Sequence, residues 1–400
     1  MQKKNTLFVL LCFASTMASS QAVSNNNSAA ADSLGTDAKD IWHSVFKKHK
    51  QVNTEQKKFE TVMIPGIGYS LQTGWAAAIG ISSTFSNSNL PGQKASNILA
   101  VPAYTQKSQN IIPVIANIWS KNNRYNFITD FRFVTYPSNI YGLGGRVDPT
   151  IGFNINFHSI KFHQSVQKEI AKNFYIGLGY YYDQFWDIIV LDSLKVNIAA
   201  RLAHKLGTNE TSSGLVLKAL YDSRLNQVNP HQGIYANVVF RKNLSFLGSD
   251  ANWNSLLTDI RAYLPFPASS KNILAFWSYN QLTIGKNKPP YLMLPSNGWD
   301  DYYNTGRGYV QGRFRGKNMY YAETEYRMRL TSNDLLHAVA FFNVETFSGD
   351  LSRAYTSLLP GYGLGLRLKL NKFSNTNICL DYGFGQNGSH GFFVNLGEVF

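Results

Sequence analysis

One glycine-rich polar stretch carries the residue types that could do chemistry. Its central residues are Gly306, Arg307, Gly308 and Tyr309. An alternating segment with two carboxylates, Glu323 and Glu325, begins a few residues later. A guanidinium is a planar fork that can bind a carboxylate through two hydrogen bonds, which a lysine cannot reproduce. The pattern therefore predicts ion pairing that involves Arg307.

Other reaction chemistries find no support in the sequence. Residues 68–72 approach a Gly-x-Ser-x-Gly elbow but lack its final glycine. The eight histidines are scattered, and His158 and His163 lie on opposite faces of one predicted strand. We therefore expect no metal site, no cofactor and no enzyme activity.

Composition predicts a β-protein with a large apolar surface. Apolar residues make up 44% of the chain and charged residues only 16%, which is below the usual quarter for a soluble globular protein. The net charge of +14 indicates an anionic partner. Lys and Arg are scattered and no nucleic-acid-binding motif is present, which favours outer-membrane lipid over nucleic acid.

The N-terminal residues predict export. Lys3 and Lys4 precede an apolar run over residues 7–13, and small residues near position 20 offer cleavage sites. Residues 1–22 are therefore predicted to be a secretory signal peptide, since the run is too short to span a membrane as a helix. We expect residues 23–59 to form a short tail in the periplasm. Cleavage would leave Cys379 as the only cysteine, without an intramolecular disulfide partner.

Residues 60–400 alternate with period two in short segments that are broken by turn residues. They predict about sixteen strands of roughly ten residues, which fits tilted strands that cross the hydrocarbon layer. Period alone does not exclude a soluble sandwich, so the choice rests on the signal peptide and the even strand number. We predict an all-β fold: a 16-stranded antiparallel transmembrane β-barrel in the outer membrane of a Gram-negative bacterium.

In this barrel the loop at 285–317 connects the eleventh and twelfth strands and faces outward. We expect it to fold back into the lumen, where Arg307 must find partners because an unpaired buried charge is costly. Four carboxylates are candidates: Glu323, Glu325, Glu345 and Asp381. Gly308 lets the backbone pass close to the wall, and Tyr309 packs on the wall with its hydroxyl satisfied. The expected role is a latch that fixes the loop and closes the pore.

Two further groups complete the predicted sites. Asp222 and Arg224 form an ion pair within a turn or cap a strand end. The last predicted strand, 390–400, presents one alternating face, which consists of Phe392, Val394, Leu396, Glu398 and Phe400. A closing strand with a terminal aromatic residue looks like the signal that the outer-membrane assembly machinery reads. That machinery is therefore the expected partner for insertion of the chain itself.

These residues resemble the bacterial surface antigen family, the C-terminal barrel of BamA, TamA and the two-partner secretion transporters. That family carries an Arg-Gly-Tyr/Phe motif on its sixth outer loop, between the eleventh and twelfth strands, where Arg307 to Tyr309 stand. Residues 221–224, followed by Asn229, Pro230 and Gly233, look like the family's Asp-x-Arg-Asp turn. The resemblance covers roughly residues 60–400 and is strongest after residue 213.

The sequence departs from the family at three positions. Leu225 stands where the turn usually has a second Asp, and Gly306 stands where an aliphatic residue often precedes the Arg. Asn343 stands where a lumen-facing Asp is common, and we expect Glu345, two residues away on the same face, to compensate. Members that assemble or export proteins carry POTRA domains before the barrel, and residues 23–59 are expected to be too short for one.

The resemblance implies a role in outer-membrane biogenesis or in translocation of proteins or lipids. It also implies a weak seam between the first and last strands that opens laterally, with a periplasmic partner that supplies substrate recognition. The alternative is a passive plugged pore or a surface antigen without assembly activity.

Overall fold

The computed structural model of the chain is a single antiparallel sheet of eighteen strands in the residues that it describes. Those residues are 36, 59–70, 72–88, 93–94, 96–146, 152–191, 206–224, 226–301, 303–349, 355, 357–371 and 375–400. The predicted signal peptide, nearly all of the predicted tail and Leu225 lie outside them. The strands are β1 (Phe59–Ser70), β2 (Gly74–Phe85), β3 (Ser96–Ala100), β4 (Ala103–Thr105), β5 (Asn110–Trp119), β6 (Tyr125–Thr135), β7 (Ser138–Ile140), β8 (Phe153–Ala171), β9 (Phe174–Val190), β10 (Glu210–Asp222), β11 (Gly233–Asn243), β12 (Trp253–Pro265), β13 (Ile273–Ile284), β14 (Asn318–Arg329), β15 (Leu336–Phe347), β16 (Leu359–Asn371), β17 (Thr376–Phe384) and β18 (His390–Leu396).

The strand number differs from the predicted sixteen because two prolines interrupt pairing. Strands β3 and β4 lie end to end, both paired with β2 on one side and with β5 on the other, and Pro102 separates β3 from β4. Strands β6 and β7 both pair with β8, and Pro137 lies between them. Proline has no N–H to donate to a ladder, so each interruption divides one sheet position into two short strands. The other strands pair with their neighbours in sequence.

The side chains of the sheet are apolar outside and charged inside. On β16, Leu364 is 68% exposed, whereas Arg367 on the other face is buried. The same alternation runs along β14, where Glu323 and Glu325 are buried and Tyr320 is exposed. Exposed apolar surface costs about 25 cal/mol per Å² in water, so this exterior is stable only against lipid. The inward faces of the strands thus carry buried charged groups together with buried aromatic side chains such as Trp277.

Two clusters of buried aromatic and aliphatic side chains occupy the lumen. The loop between β13 and β14 contributes to both: Tyr309 and Phe314 to one, Tyr291 and Leu294 to the other. Phe347 of β15 belongs to the first cluster. The loop therefore packs against both sides of the barrel interior. Among the described residues, no helix is long and apolar enough to cross a bilayer.

The barrel wall is uneven in height around its circumference. Strands β8 and β9 have 19 and 17 residues, whereas β17 and β18 have 9 and 7. A tilted strand needs about 9–11 residues to cross the hydrocarbon layer. Strand β18 lies close to β1. Within the described residues, however, β1 forms backbone hydrogen bonds only with β2, and β18 forms them only with β17. The shortest wall therefore adjoins a junction without a ladder, which we call the β1–β18 seam.

The C-terminal residues correct the predicted last strand. Strand β18 ends at Leu396 rather than continuing to residue 400. Gly397 has φ +84°, a left-handed conformation that turns the chain away from the strand direction. Phe392 faces outward and is 48% exposed, whereas Phe400 is 3% exposed and stacks on Trp277 at 5.2 Å between ring centroids. One continuous face from Phe392 to Phe400 is therefore wrong, and the role of Phe392, Val394 and Leu396 in assembly stays a prediction.

Candidate functional site

The loop that joins β13 to β14 places the Arg-Gly-Tyr motif against the luminal face of β14–β17. Its backbone turns tightly there, with the Tyr309 amide donating to the Gly306 carbonyl at 3.0 Å. Gly308 has φ +112°. A Cβ at this position would lie 2.6 Å from the carbonyl oxygen of Phe384 at the end of β17. Only glycine lets the two backbones approach so closely, which fixes where the motif touches the wall.

The Arg307 guanidinium is held by three carboxylates from two strands. Its Nη1 donates to Asp381 Oδ2 of β17 at 2.5 Å, and its Nη2 donates to Glu323 and Glu325 of β14. The side chain is 1% exposed and its guanidinium lies 3.8 Å from the ring centroid of Phe341. Burial favours the neutral form, but the three carboxylates outweigh it and raise the pKa of Arg307 above its usual range. The guanidinium therefore stays charged.

The predicted partners divide into three that bind Arg307 and one that does not. The prediction that Glu345 pairs with Arg307 is wrong in this structure: among the described residues, its buried carboxylate oxygens have no hydrogen-bond partner. Successive inward positions of β15 explain this. Phe341 lies beneath the guanidinium, and Asn343 binds the Arg307 carbonyl. Glu345, two residues further along, is beside Gly306, where its Oε2 lies 3.0 Å from the position of a Cβ.

Asn343 accounts for one departure from the family pattern. Its Nδ2 donates to the Arg307 carbonyl oxygen at 3.0 Å. An ionised aspartate has no proton to donate, so it could not make this bond. The amide at position 343 therefore holds the backbone of the motif while the carboxylates hold its side chain.

Tyr309 anchors the end of the motif through its hydroxyl and its ring. The hydroxyl donates to the Pro360 carbonyl at 2.6 Å and accepts from the Gln386 amide at 2.9 Å. The ring packs edge-on against Phe314, with 5.1 Å between centroids. Both halves of this amphipathic side chain are therefore satisfied, as expected for a tyrosine buried against a wall.

The ion-pair network extends to residues that the sequence analysis did not assign to it. Arg327 Nε donates to Glu325 Oε2 at 2.7 Å, and Arg367 Nε donates to Glu398 at 2.9 Å. Arg367 also binds Asp381, and Arg327 Nη2 donates to the Phe400 carbonyl oxygen at 3.0 Å. The alternation of side chains along β14 and β16 could have predicted that both arginines face the lumen. The turn after β18, which brings Glu398 to them, gave no signal in the sequence.

The loop has a second set of contacts on the opposite wall. Lys161 Nζ of β8 donates to Asp301 Oδ1 at 2.8 Å, and Arg132 Nη2 of β6 donates to the Asp301 carbonyl at 2.9 Å. The positive charge of Lys161 is the largest influence on Asp301 and holds the pKa of its carboxyl below the usual range. The loop is therefore tied across the lumen, by Arg307 on one side and Asp301 on the other.

Asp222 and Arg224 meet at the start of the turn after β10. Arg224 Nε and Nη2 donate to the two Asp222 carboxylate oxygens at 2.8 and 2.9 Å. The guanidinium also lies 4.3 Å from the ring centroid of Tyr235. This bidentate pair lies in the turn, and among the described residues no hydrogen bond or ion pair joins it to Arg307. Among the described residues, no group of three or more His, Cys, Asp or Glu side chains is arranged to hold a metal ion.

Comparison with known proteins identifies both a family domain and a fold. The sequence matches the Omp85 superfamily domain over residues 103–400. No curated protein sequence matches the chain significantly. The chain is similar to the crystal structure of BamA from Haemophilus ducreyi lacking POTRA domains 1–3, with a TM-score of 0.55 and 13% identity over 85% of this chain and 69% of that chain.

Two CdiB structures are also similar. CdiB from Acinetobacter baumannii has a TM-score of 0.57 and 13% identity over 86% of this chain and 60% of that one. CdiB from Escherichia coli has a TM-score of 0.57 and 11% identity over 84% and 62%. The chain thus spans less than two thirds of the length of either CdiB. At these identities the likeness shows the fold alone.

Proposed function

We propose that this chain, which belongs to the Omp85 superfamily, acts in outer-membrane biogenesis or in translocation of proteins or lipids. In this proposal the β1–β18 seam opens laterally, and the loop that carries Arg307 is the latch that keeps the barrel closed. The action is one of assembly or transport and involves no catalysed reaction. The N-terminal tail lies in the periplasm, and the partners are outer-membrane lipid and a periplasmic protein that recognises the substrate.

The observation that carries this proposal is the β1–β18 seam. Strands β8 and β9 share a ladder that runs from residues 155–171 of β8 to residues 174–190 of β9, whereas in the described residues no ladder joins β18 to β1. Separating β1 from β18 would break no backbone ladder of the described chain. Each intramolecular hydrogen bond contributes about 0.5–1.5 kcal/mol net, so this junction resists opening least. The seven residues of β18 also favour local thinning of the bilayer.

Contacts between the loop and the seam support coupling of the latch to opening. Asn395 of β18 donates to Asn304 Oδ1 at 3.0 Å, and Asn304 Nδ2 donates to the Val399 carbonyl at 2.7 Å. Asn304 is three residues before Arg307 in the same loop. A loop that moves with Arg307 would therefore pull on the last strand and on the residues that follow it.

A depletion strain tests the proposal. If the chain assembles or translocates outer-membrane components, its depletion lowers the levels of many barrels, and the wild-type gene on a plasmid restores them. Unchanged levels together with measurable ion flux through the purified protein would favour the alternative, a passive plugged pore or surface antigen. The packing of the loop within both luminal clusters is the observation that favours this alternative, because it closes the pore.

Co-purification from mild detergent tests the proposed partner. We expect a periplasmic protein to accompany the barrel in stoichiometric amount. Recovery of the barrel with lipid alone, under conditions in which the barrel remains folded, would contradict this part of the proposal.

A further inference from the structure

Four cations on β6, β8, β10 and β11 form a patch on the wall opposite Arg307. This basic wall consists of Arg132, Lys161, Lys218 and Arg241. Two carboxylates of the same wall, Asp130 and Asp183, pair with three of them. Asp130 binds Arg132 and Lys161, and Asp183 binds Arg241 at 2.5 Å and His163 at 2.9 Å. The wall therefore carries more positive than negative groups even after its internal pairing.

Lys218 is the cation of the basic wall that pairs with neither Asp130 nor Asp183. In the part of the chain that the structure describes, its ammonium has neither a hydrogen-bond partner nor an ion-pair partner. It interacts at longer range with the charges of Asp301 and Lys161. Its side chain is partly exposed, so its charge is available to an anion close by.

A luminal cavity of about 220 Å³ lies against the basic wall and is lined by all four of its cations. This volume exceeds the roughly 30 Å³ share of a single water several times. It is therefore large enough for several waters or for a small phosphate compound. The remaining lining includes Ser159, Ser255 and Gln281, which can donate further hydrogen bonds. It also includes two carboxylates besides Asp301: Asp183, which Arg241 binds, and Asp300, whose Oδ2 accepts from two backbone amides of the loop.

Asp301 of the loop already fills one corner of this cavity as an anion. Its side chain is 53% exposed, far more than the luminal acids that bind Arg307. Lys161 binds its carboxylate and Arg132 binds its carbonyl oxygen. Because the side chain is open to the cavity, a second anion can reach the same cations without crossing the loop.

We propose that this cavity is a binding site for a small polyvalent anion of the phosphate class, which competes with Asp301 for the basic wall. The anion binds Lys218 first and shares Lys161 and Arg132 with the loop. Its chemistry is common to a free phosphate compound and to the headgroup of a phosphorylated lipid. The site lies on the wall opposite Arg307, and it does not rest on the proposed role in biogenesis.

Calorimetric titration of the full-length protein in an uncharged detergent, at fixed ionic strength, tests the site. The probes are pyrophosphate and dihexanoylphosphatidic acid, the second below its micelle concentration. Lys218→Gln removes the unpartnered cation, and Asp301→Asn removes the competitor without changing its size. The matched control is Lys242→Gln, since Lys242 neighbours Arg241 on the opposite, exposed face of β11.

We expect saturable binding to the wild type, weakened about tenfold by Lys218→Gln because one charge-assisted hydrogen bond is lost. Asp301→Asn should tighten binding, and Lys242→Gln should leave it unchanged. Tighter binding of pyrophosphate assigns the site to a free ion, and tighter binding of the lipid assigns it to a headgroup. Three results would each overturn the proposal: no saturable binding, equal losses in the two lysine variants, or no effect of Asp301→Asn in a folded protein.

Discussion

At the scale of single residues, the Arg-Gly-Tyr motif divides its attachment among chemically different groups. Three carboxylates hold the Arg307 side chain, the amide of Asn343 holds its backbone, and the Tyr309 hydroxyl ties the motif to Pro360. In the sequence, Asn343 was a departure from the family pattern, because the family often has an acidic residue at this position. In the structure it supplies the donor that the Arg307 carbonyl needs.

Replacing Asn343 with Asp tests this reading of the departure. The new carboxylate would face a carbonyl oxygen and the unpaired Glu345, so we expect the free energy of unfolding to fall by about 1–3 kcal/mol. The measurement is urea-induced unfolding in detergent micelles. The control, Asn387→Asp, makes the same change in the exposed turn before β18, where it should have no effect. A stabilised Asn343→Asp protein would show that the backbone bond is unimportant.

At the scale of elements, the sequence predicted the strands better than their interruptions and ends. Alternation identified the inward face of β14, because a membrane barrel needs one polar and one apolar face along every strand. It did not reveal that Pro102 and Pro137 divide two sheet positions, since each flanking segment keeps the same alternation. Phe400 also continued the alternation of β18, yet the left-handed Gly397 turns it inward to Trp277.

Gly397→Ala tests whether this glycine directs the last residues inward. An alanine in the left-handed region costs about 1–2 kcal/mol because of its backbone conformation. The added Cβ makes no steric clash, since the nearest atom, in Val228, lies 3.6 Å away. We expect the last residues to leave their site and to become sensitive to a carboxypeptidase. Gly388→Ala is the control, since it has a similar φ of +73° in an open turn. Equal digestion of the two variants would contradict the assignment.

At the scale of the whole molecule, the loop is bound to two opposite walls of the lumen through charges of opposite sign. The carboxylates of β14, β15 and β17 face the cations of β6, β8, β10 and β11, and the loop presents Arg307 to the first and Asp301 to the second. The sequence could name the first set because alternation along the strands that follow the motif identified their inward-facing carboxylates. Asp301 and Lys161 are 140 residues apart, and a contact of that kind follows only from barrel closure.

The central claim is that Arg307 fastens the loop inside the barrel. Single-channel conductance in planar bilayers tests it most directly, with wild type, Arg307→Ala, Arg307→Lys and Arg224→Ala compared after folding is verified. Removing one partner from a buried ion-pair network costs about 3–5 kcal/mol, which is enough to release the loop. We expect larger and more frequent openings for Arg307→Ala, partial release for Arg307→Lys, and wild-type behaviour for Arg224→Ala, whose ion pair lies in the turn after β10. Wild-type conductance in a correctly folded Arg307→Ala protein would contradict the account.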